Sequence, residues 1–147
     1  MRIVIQRVLE AKVEVDGQTV GQIGKGLLIF LGVAKTDTHV QADFLVQKIA
    51  ELRIFEDVDG KMNLSAAQVN AAFLVVSQFT LLGNCDKGRR PSFDAAADPA
   101  KGEELYNYFA EQLKKTNMEV ATGRFRAMMK VSLVNDGPVT FIIDANH

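Results

Sequence analysis

Ser77-Gln78-Phe79-Thr80-Leu81 follows directly on the apolar run Ala71-Ala72-Phe73-Leu74-Val75-Val76. The run predicts a buried strand, so hydroxyl and amide groups are delivered to a sheet edge by a rigid element. Sites held on strands are positioned more tightly than sites on free loops. Gln78, set between Val76 and Phe79, needs hydrogen-bond partners wherever it is buried. Three readings of Thr80 are open. It suits a strand for structural reasons alone. Its hydroxyl could be a nucleophile, although a hydroxyl without an adjacent base is weakly reactive. Alternatively, the backbone N–H groups of Phe79 and Thr80 could form an oxyanion hole, where each donor is worth about 10²–10³ in rate.

A second segment, Asn135-Asp136-Gly137-Pro138-Val139-Thr140, runs into the strand-like Phe141-Ile142-Ile143. Proline removes a ladder donor and is unwelcome in a central strand, so Gly137-Pro138 points to a requirement other than packing. Arg7 belongs to the same question. On an alternating strand it shares an inward face with Ile3, Ile5 and Leu9, and a guanidinium aimed at a core must be hydrogen-bonded. Carbonyls of the Gly-Pro segment are candidate partners. The alternative is a residue at the sheet's rim with its head in water.

The usual catalytic parts are scarce. His39 falls on the polar face at the start of a predicted helix, His147 is the last residue, and Cys85 has no motif around it. A Ser/His/Asp or Cys/His triad is therefore not expected, nor a zinc site, which needs clustered His and Cys. Glu56-Asp57-Val58-Asp59 reads as a solvated turn rather than a cation site. Gly21, Gly24 and Gly26 precede a strand instead of opening a helix, so they punctuate turns and do not cradle a phosphate. No metal and no cofactor are expected.

The elements that must carry these residues follow from the patterning. Residues 3–8 and 12–15 alternate, and Asp16-Gly17 is a favourable hairpin turn before Gln18 to Ile23. Leu27-Leu28-Ile29-Phe30-Leu31 is apolar throughout and predicts a central strand covered on both faces. Thr36-Asp37-Thr38 offers helix caps, after which Val40, Phe44, Leu45, Ile49 and Leu52 recur at helical spacing. Asp59-Gly60 marks a turn, and Ser65 is a candidate cap for a short helical turn. Cys85 to Ala97 lacks periodicity and carries Lys87, Arg89 and Arg90, as functional or mobile loops do. Asp98-Pro99 opens a second helix with Leu105, Phe109 and Leu113 inside. From Met118 the pattern is strand-like to the end, broken at Gly123 and at Asn135-Asp136-Gly137-Pro138. With uninterrupted alternation Phe125 and Met129 share a face. The fold class is α+β: one domain, 1–147, built on a strongly curved antiparallel or mixed sheet with two principal outer helices.

Composition narrows the function. The 147 residues are 48% hydrophobic and 24% charged, as in an ordinary globular protein. A formal net charge of −1 argues against a protein that tracks a long nucleic-acid backbone, and no DNA partner is expected. It leaves room for docking one end of an RNA. A single cysteine fits a reducing compartment. The longest apolar run, Leu27 to Ala34, is far below the roughly 20 residues of a membrane span. A cytoplasmic protein with no membrane partner is expected.

The two segments also carry a resemblance. SQFTL at 77–81 and GPVT at 137–140 match the signatures of the D-aminoacyl-tRNA (D-tyrosyl-tRNA) deacylase family letter for letter. Gln6-Arg7-Val8, Gly60-Lys61-Met62-Asn63-Leu64 and Lys87-Gly88-Arg89-Arg90-Pro91-Ser92-Phe93 extend the likeness over nearly the whole chain. The resemblance implies a barrel-like sheet, a homodimer and a substrate whose ester joins an amino acid to the terminal ribose at the 3′ end of tRNA. It favours the oxyanion role for the backbone of Phe79 and Thr80, with Ser77 and Gln78 positioning and the neighbouring ribose hydroxyl helping to activate water. It implies that Gly137-Pro138, with a cis bond, enters the partner subunit's site. There its carbonyls form a wall that rejects L side chains and lets D side chains and glycine pass, with Arg7 in support. Leu81, Phe125 and Met129 are carried over as substrate contacts, the last two near the adenosine. The rivals are a Thr80-nucleophile esterase or peptidase and a non-enzymatic nucleic-acid-binding module using the Lys87–Arg90 loop.

Overall fold

The computed structural model describes residues 1–146. Its spine is β1 (Arg2–Val15), which turns through Asp16 and Gly17 into β2 (Gln18–Ile23). Both turn residues have positive φ, 52° and 77°, as a two-residue type I′ hairpin requires. β3 (Gly26–Gly32) pairs antiparallel with the first half of β1, from Arg2↔Gly32 to Val8↔Gly26, and β2 pairs with the second half. β6 (Ala72–Ser77) lies parallel to β3, and β7 (Val120–Thr122) lies parallel to β6. β8 (Lys130–Asp144) runs antiparallel along the other edge of β1. The strand order is therefore β2-β1-β3-β6-β7, with β8 joined to β1. The two ends of this path meet. A Cβ on Gly21 in β2 would lie 2.2 Å from the Thr122 carbonyl oxygen of β7. Glycine at this point lets the sheet curl into a nearly closed barrel, which makes the fold α+β with a mixed, barrel-like sheet, as expected.

The curled sheet has two apolar faces. Ile3, Ile5, Leu27, Ile29, Leu31, Phe73 and Val75 face outward under the helices α1 (His39–Glu51) and α2 (Pro99–Lys114), meeting Leu45, Ile49, Leu105, Phe109 and Leu113. Val8, Val13, Leu28, Leu74 and Val76 fill the barrel interior. This is why residues 27–31 are apolar without alternation: both faces of β3 are buried. Thr38 caps α1 in a reciprocal box with Gln41. Asp98 caps α2 by accepting the Lys101 N–H at 2.9 Å, with Pro99 in the first turn. Under α1, the N-terminal ammonium of Met1 is buried and donates to Asp37 Oδ1 at 2.6 Å, while Asp37 Oδ2 accepts the Ala34 N–H.

Five expectations change. Leu9 is exposed rather than inward, because irregularities on both sides of Val8 shift the alternation of β1. Val40 is exposed, and Ala42 and Val46 join the inner stripe of α1 instead. Ser65 caps nothing: the turn Ala67–Val69 has Ala66 at its N-cap, and Gln68 accepts the Ser65 N–H. Residues 123–129 form a turn between β7 and β8, with Arg126 at φ 63°. Asn135-Asp136-Gly137-Pro138 does not end a strand; β8 continues through it.

Candidate active site

β6 ends at Ser77 beside Leu31, and the ladder continues one bond further, from Gln78 N–H to the Leu31 carbonyl at 2.8 Å. The chain then tightens into a 3-10 turn, Phe79–Leu82, whose first internal bond is Leu81 N–H to the Gln78 carbonyl. In such a turn the first two N–H groups, those of Phe79 and Thr80, precede the first internal donor, and no side chain caps them. The Gln78 Nε2 amide donates to the Thr80 hydroxyl oxygen, so these two side chains fix one another. Ser77 and Gln78 are half-buried, as is Leu81, while Phe79 is 56% exposed. The turn thus leaves two uncapped N–H donors beside an exposed aromatic ring. No acid, base or thiol is part of the turn.

Two residues that the sequence did not single out hold this turn in place. A Cβ on Gly32, at the end of β3, would lie 2.4 Å from Leu82 Cδ2, 3.1 Å from Leu81 Cβ and 3.2 Å from the Gln78 carbonyl oxygen. The turn sits directly on that glycine. From the other side, Arg2 Nη1 donates to the Leu81 carbonyl at 3.2 Å while its Nε donates to Asp144 Oδ1 at 2.7 Å. That hydrogen bond with Asp144 raises the guanidinium's pKa. Nothing in the local sequence marks either residue, because both contacts join segments distant along the chain. A cavity of about 300 Å³ borders the turn, lined by Arg2, Asp37, Gln41, Leu82 and Asp144.

Gly137 and Pro138 lie in a bulge. Val8 pairs with Asn135 and Gln6 pairs with Thr140, so four residues, 136–139, stand opposite Arg7 alone. The bond between Gly137 and Pro138 is cis. Asn135 ties the base of the bulge by donating Nδ2 to the carbonyls of Arg7 at 3.0 Å and Val139 at 3.3 Å. Arg7 is 3% exposed, and its head is not in water. Its Nε donates to the Asp136 carbonyl at 3.1 Å, its Nη1 to the Ile54 carbonyl at 2.8 Å, and its Nη2 meets Glu56 at 3.5 Å. A buried guanidinium thus fastens the bulge to β1 and to the segment before the small hairpin β4 (Phe55–Glu56) and β5 (Met62–Leu64).

One chain does not bring its two motifs together. Ser77 is level with Leu31, Ile3 and Ile143, whereas the bulge is level with Arg7, Leu27 and Phe73. The separation is four residues along the strands and three strand spacings across them. These correspond to roughly 13 Å and roughly 14 Å measured over the sheet.

The remaining candidates scatter. Phe125 packs on Tyr106, ring centroids 5.9 Å apart, under α2, whereas Met129 packs on the barrel interior. They do not share a face, because the intervening residues form a turn. His39 lies on the helix surface, paired with Glu104 at 2.6 Å and stacked on Tyr108. His147 falls outside the described residues. Asp57 accepts the N–H groups of Lys61 and Asp59, which lowers its pKa and accounts for the acidic turn. Among the described residues, no three of His, Cys, Asp and Glu are grouped to hold a metal ion, and no helix is long and apolar enough to cross a membrane.

The family model for D-Tyr-tRNA(Tyr) deacylase matches residues 4–144. A D-aminoacyl-tRNA deacylase of Geobacter sulfurreducens is 61% identical over 144 residues, covering 98% of this chain and 95% of that protein. One from Thermotoga petrophila is 56% identical over 146 residues, covering 99% and 98%. Among solved structures, "c-Myc DNA Unwinding Element Binding Protein" superposes with a TM-score of 0.93 at 39% identity, with both chains fully covered. A probable eukaryotic D-amino acid tRNA deacylase shares the fold at 17% identity, with a TM-score of 0.86 and 98% of each chain covered. With its two signature segments on the end of β6 and in the bulge of β8, and with a match along almost its whole length, the chain belongs to the D-Tyr-tRNA(Tyr) deacylase family.

Proposed function

We propose that this chain hydrolyses the ester of D-aminoacyl-tRNA to free tRNA and a D-amino acid, sparing L-aminoacyl-tRNA. The observation that carries the reading is the pair of uncapped N–H groups, Phe79 and Thr80, at the start of a turn that a family signature encodes. Water attacks the ester carbonyl carbon, and the negative charge on the carbonyl oxygen is met by those two donors. The adjacent ribose hydroxyl relays the water's proton, the bond to the ribose oxygen breaks, and that oxygen leaves protonated. An ester held in place needs less help than an amide, so position and dipoles suffice without a side-chain base. Ser77, Gln78 and Leu81 shape the turn.

Chirality is read by main-chain carbonyls of Gly137 and Pro138 in the same reading. Their distance from Ser77 over the sheet of one chain supports a homodimer in which each bulge covers the partner's turn. An L side chain would meet the wall. A D side chain points away from it, and glycine has nothing to reject. Arg7 keeps the wall stiff from beneath. The deciding experiment compares D-tyrosyl-, L-tyrosyl- and glycyl-tRNA with the pure protein and a chelator. Cleavage of the D and glycyl esters is expected, with the L ester intact. Rapid cleavage of the L form would sink the wall, and inhibition by the chelator would sink the metal-free chemistry.

A second reading, nucleic-acid binding without catalysis, is favoured by the name of the solved structure at 39% identity. It predicts tight, salt-dependent binding to duplex DNA and no ester hydrolysis.

A further inference from the structure

Beyond the reacting ester, the turn is bordered by two cationic loops. After Gly83 the chain forms a closed hairpin: Asn84 and Ser92 exchange N–H to carbonyl bonds at 2.7 and 2.8 Å, and the tip carries Lys87, Arg89 and Arg90. The hairpin is braced against the turn itself. Phe93 meets Phe79 edge-to-face with ring centroids 5.1 Å apart, and Gly83 lets its ring approach. Arg90 is three residues from Phe93, within about 10 Å of chain.

On the opposite flank, β7 runs parallel to β6. Their last shared bond is Gly123 N–H to the Val75 carbonyl at 3.0 Å. The turn that follows therefore begins beside Ser77, closed by Ala127 N–H to the Arg124 carbonyl and anchored by Phe125 on Tyr106. It carries Arg124 and Arg126. All five cations are exposed, and among the described residues none is in an ion pair or side-chain hydrogen bond, unlike Arg2, Arg7, Lys12 and Lys114. Residues 84–94 and 123–129 hold these five cations and only two carboxylates, Asp86 and Asp94, in a chain of net charge −1. Positive charge is gathered on both sides of the turn and diluted elsewhere.

We propose that Lys87, Arg89, Arg90, Arg124 and Arg126 form a two-sided phosphate track for the single-stranded 3′ end of tRNA. The track rests on the deacylase reading for its substrate. The hairpin and the β7–β8 turn guide the sugar–phosphate chain so that the terminal ribose ester comes to rest at the N–H groups of Phe79 and Thr80. Arginine forks suit phosphate oxygens, and contacts to phosphate position a strand without reading its sequence.

The test uses two substrates, D-tyrosyl-tRNA and D-tyrosyl-adenosine, which has the ester but no phosphates. The variants are R89A/R90A and R124A/R126A. Each should raise KM for the tRNA about tenfold or more with kcat within twofold. The slope of log(kcat/KM) against log[salt] should flatten by about 0.7 for each phosphate that is no longer neutralised. Cleavage of the adenosine ester should match the wild type, and R89K/R90K should recover part of the tRNA activity. Unchanged kinetics on tRNA would overturn the track. So would an equal loss on both esters, which would mean that the loops only shape the turn. If the wild type cleaves neither ester, the deacylase reading fails; binding of uncharged tRNA by the same variants then decides the track, with unaltered affinity and salt slope refuting it.

Discussion

In the proposed mechanism the side chain of Thr80 has little chemistry to do. Its hydroxyl accepts a hydrogen bond from Gln78, and no base stands beside it to take a proton. Thr80→Val should keep the backbone donor and lower kcat by less than about tenfold, since losing a whole oxyanion donor costs about 10²–10³. Complete loss of activity in a variant with an unchanged circular dichroism spectrum would make Thr80 the nucleophile. Arg2 acts at the same scale through another atom. Its Nη1 steadies the Leu81 carbonyl at the surface, where its ion pair with Asp144 contributes at most about 1 kcal/mol to folding. Arg2→Ala should therefore leave the urea midpoint nearly unchanged and lower kcat about fivefold, with Arg2→Lys recovering only part. A kcat equal to the wild type would show that the turn holds itself.

The elements matter because the turn rests on the ends of strands rather than on a loop. Gly32 is the seat. Any side chain there must displace Leu82 and press on Leu81 and Gln78, whose atoms lie 3.1 and 3.2 Å from the added carbon. A misplacement of about 1 Å can cost about 10²-fold in rate, so the few tenths of an ångström forced by Gly32→Ala should cost about tenfold. The loss should fall on kcat, measured in single turnovers with saturating enzyme. A glycine that only closes the packing of β3 would lower the melting temperature and leave kcat alone. The bulge in β8 is built on the same principle. Asn135 and Arg7 tie four extra-ladder residues to β1 through hydrogen bonds at the base of the bulge.

At the scale of the whole molecule, the register of the sheet puts the turn and the bulge far apart on one chain. In the proposed function, catalysis and chiral selection therefore coincide only between two copies. Sedimentation should find a dimer, and kcat/KM should fall on dilution in step with its dissociation. A monomer that still spares L-tyrosyl-tRNA at every concentration would separate selection from the dimer.

Much was legible without coordinates because local patterning governs it. The Asp16-Gly17 hairpin, the doubly buried run 27–31, the caps at Thr38 and Asp98, and the polar end of the 72–77 strand each depend on neighbours a few residues away. Arg7 was legible as a buried cation needing carbonyl partners. Two of the failures share a cause. Leu9 and the separation of Phe125 from Met129 turn on a bulge and a tight turn, either of which reverses which way the side chains point. Gly32, Arg2 and the two-sided gathering of cations are contacts between distant segments, and only the register of the closed sheet decides which ones meet.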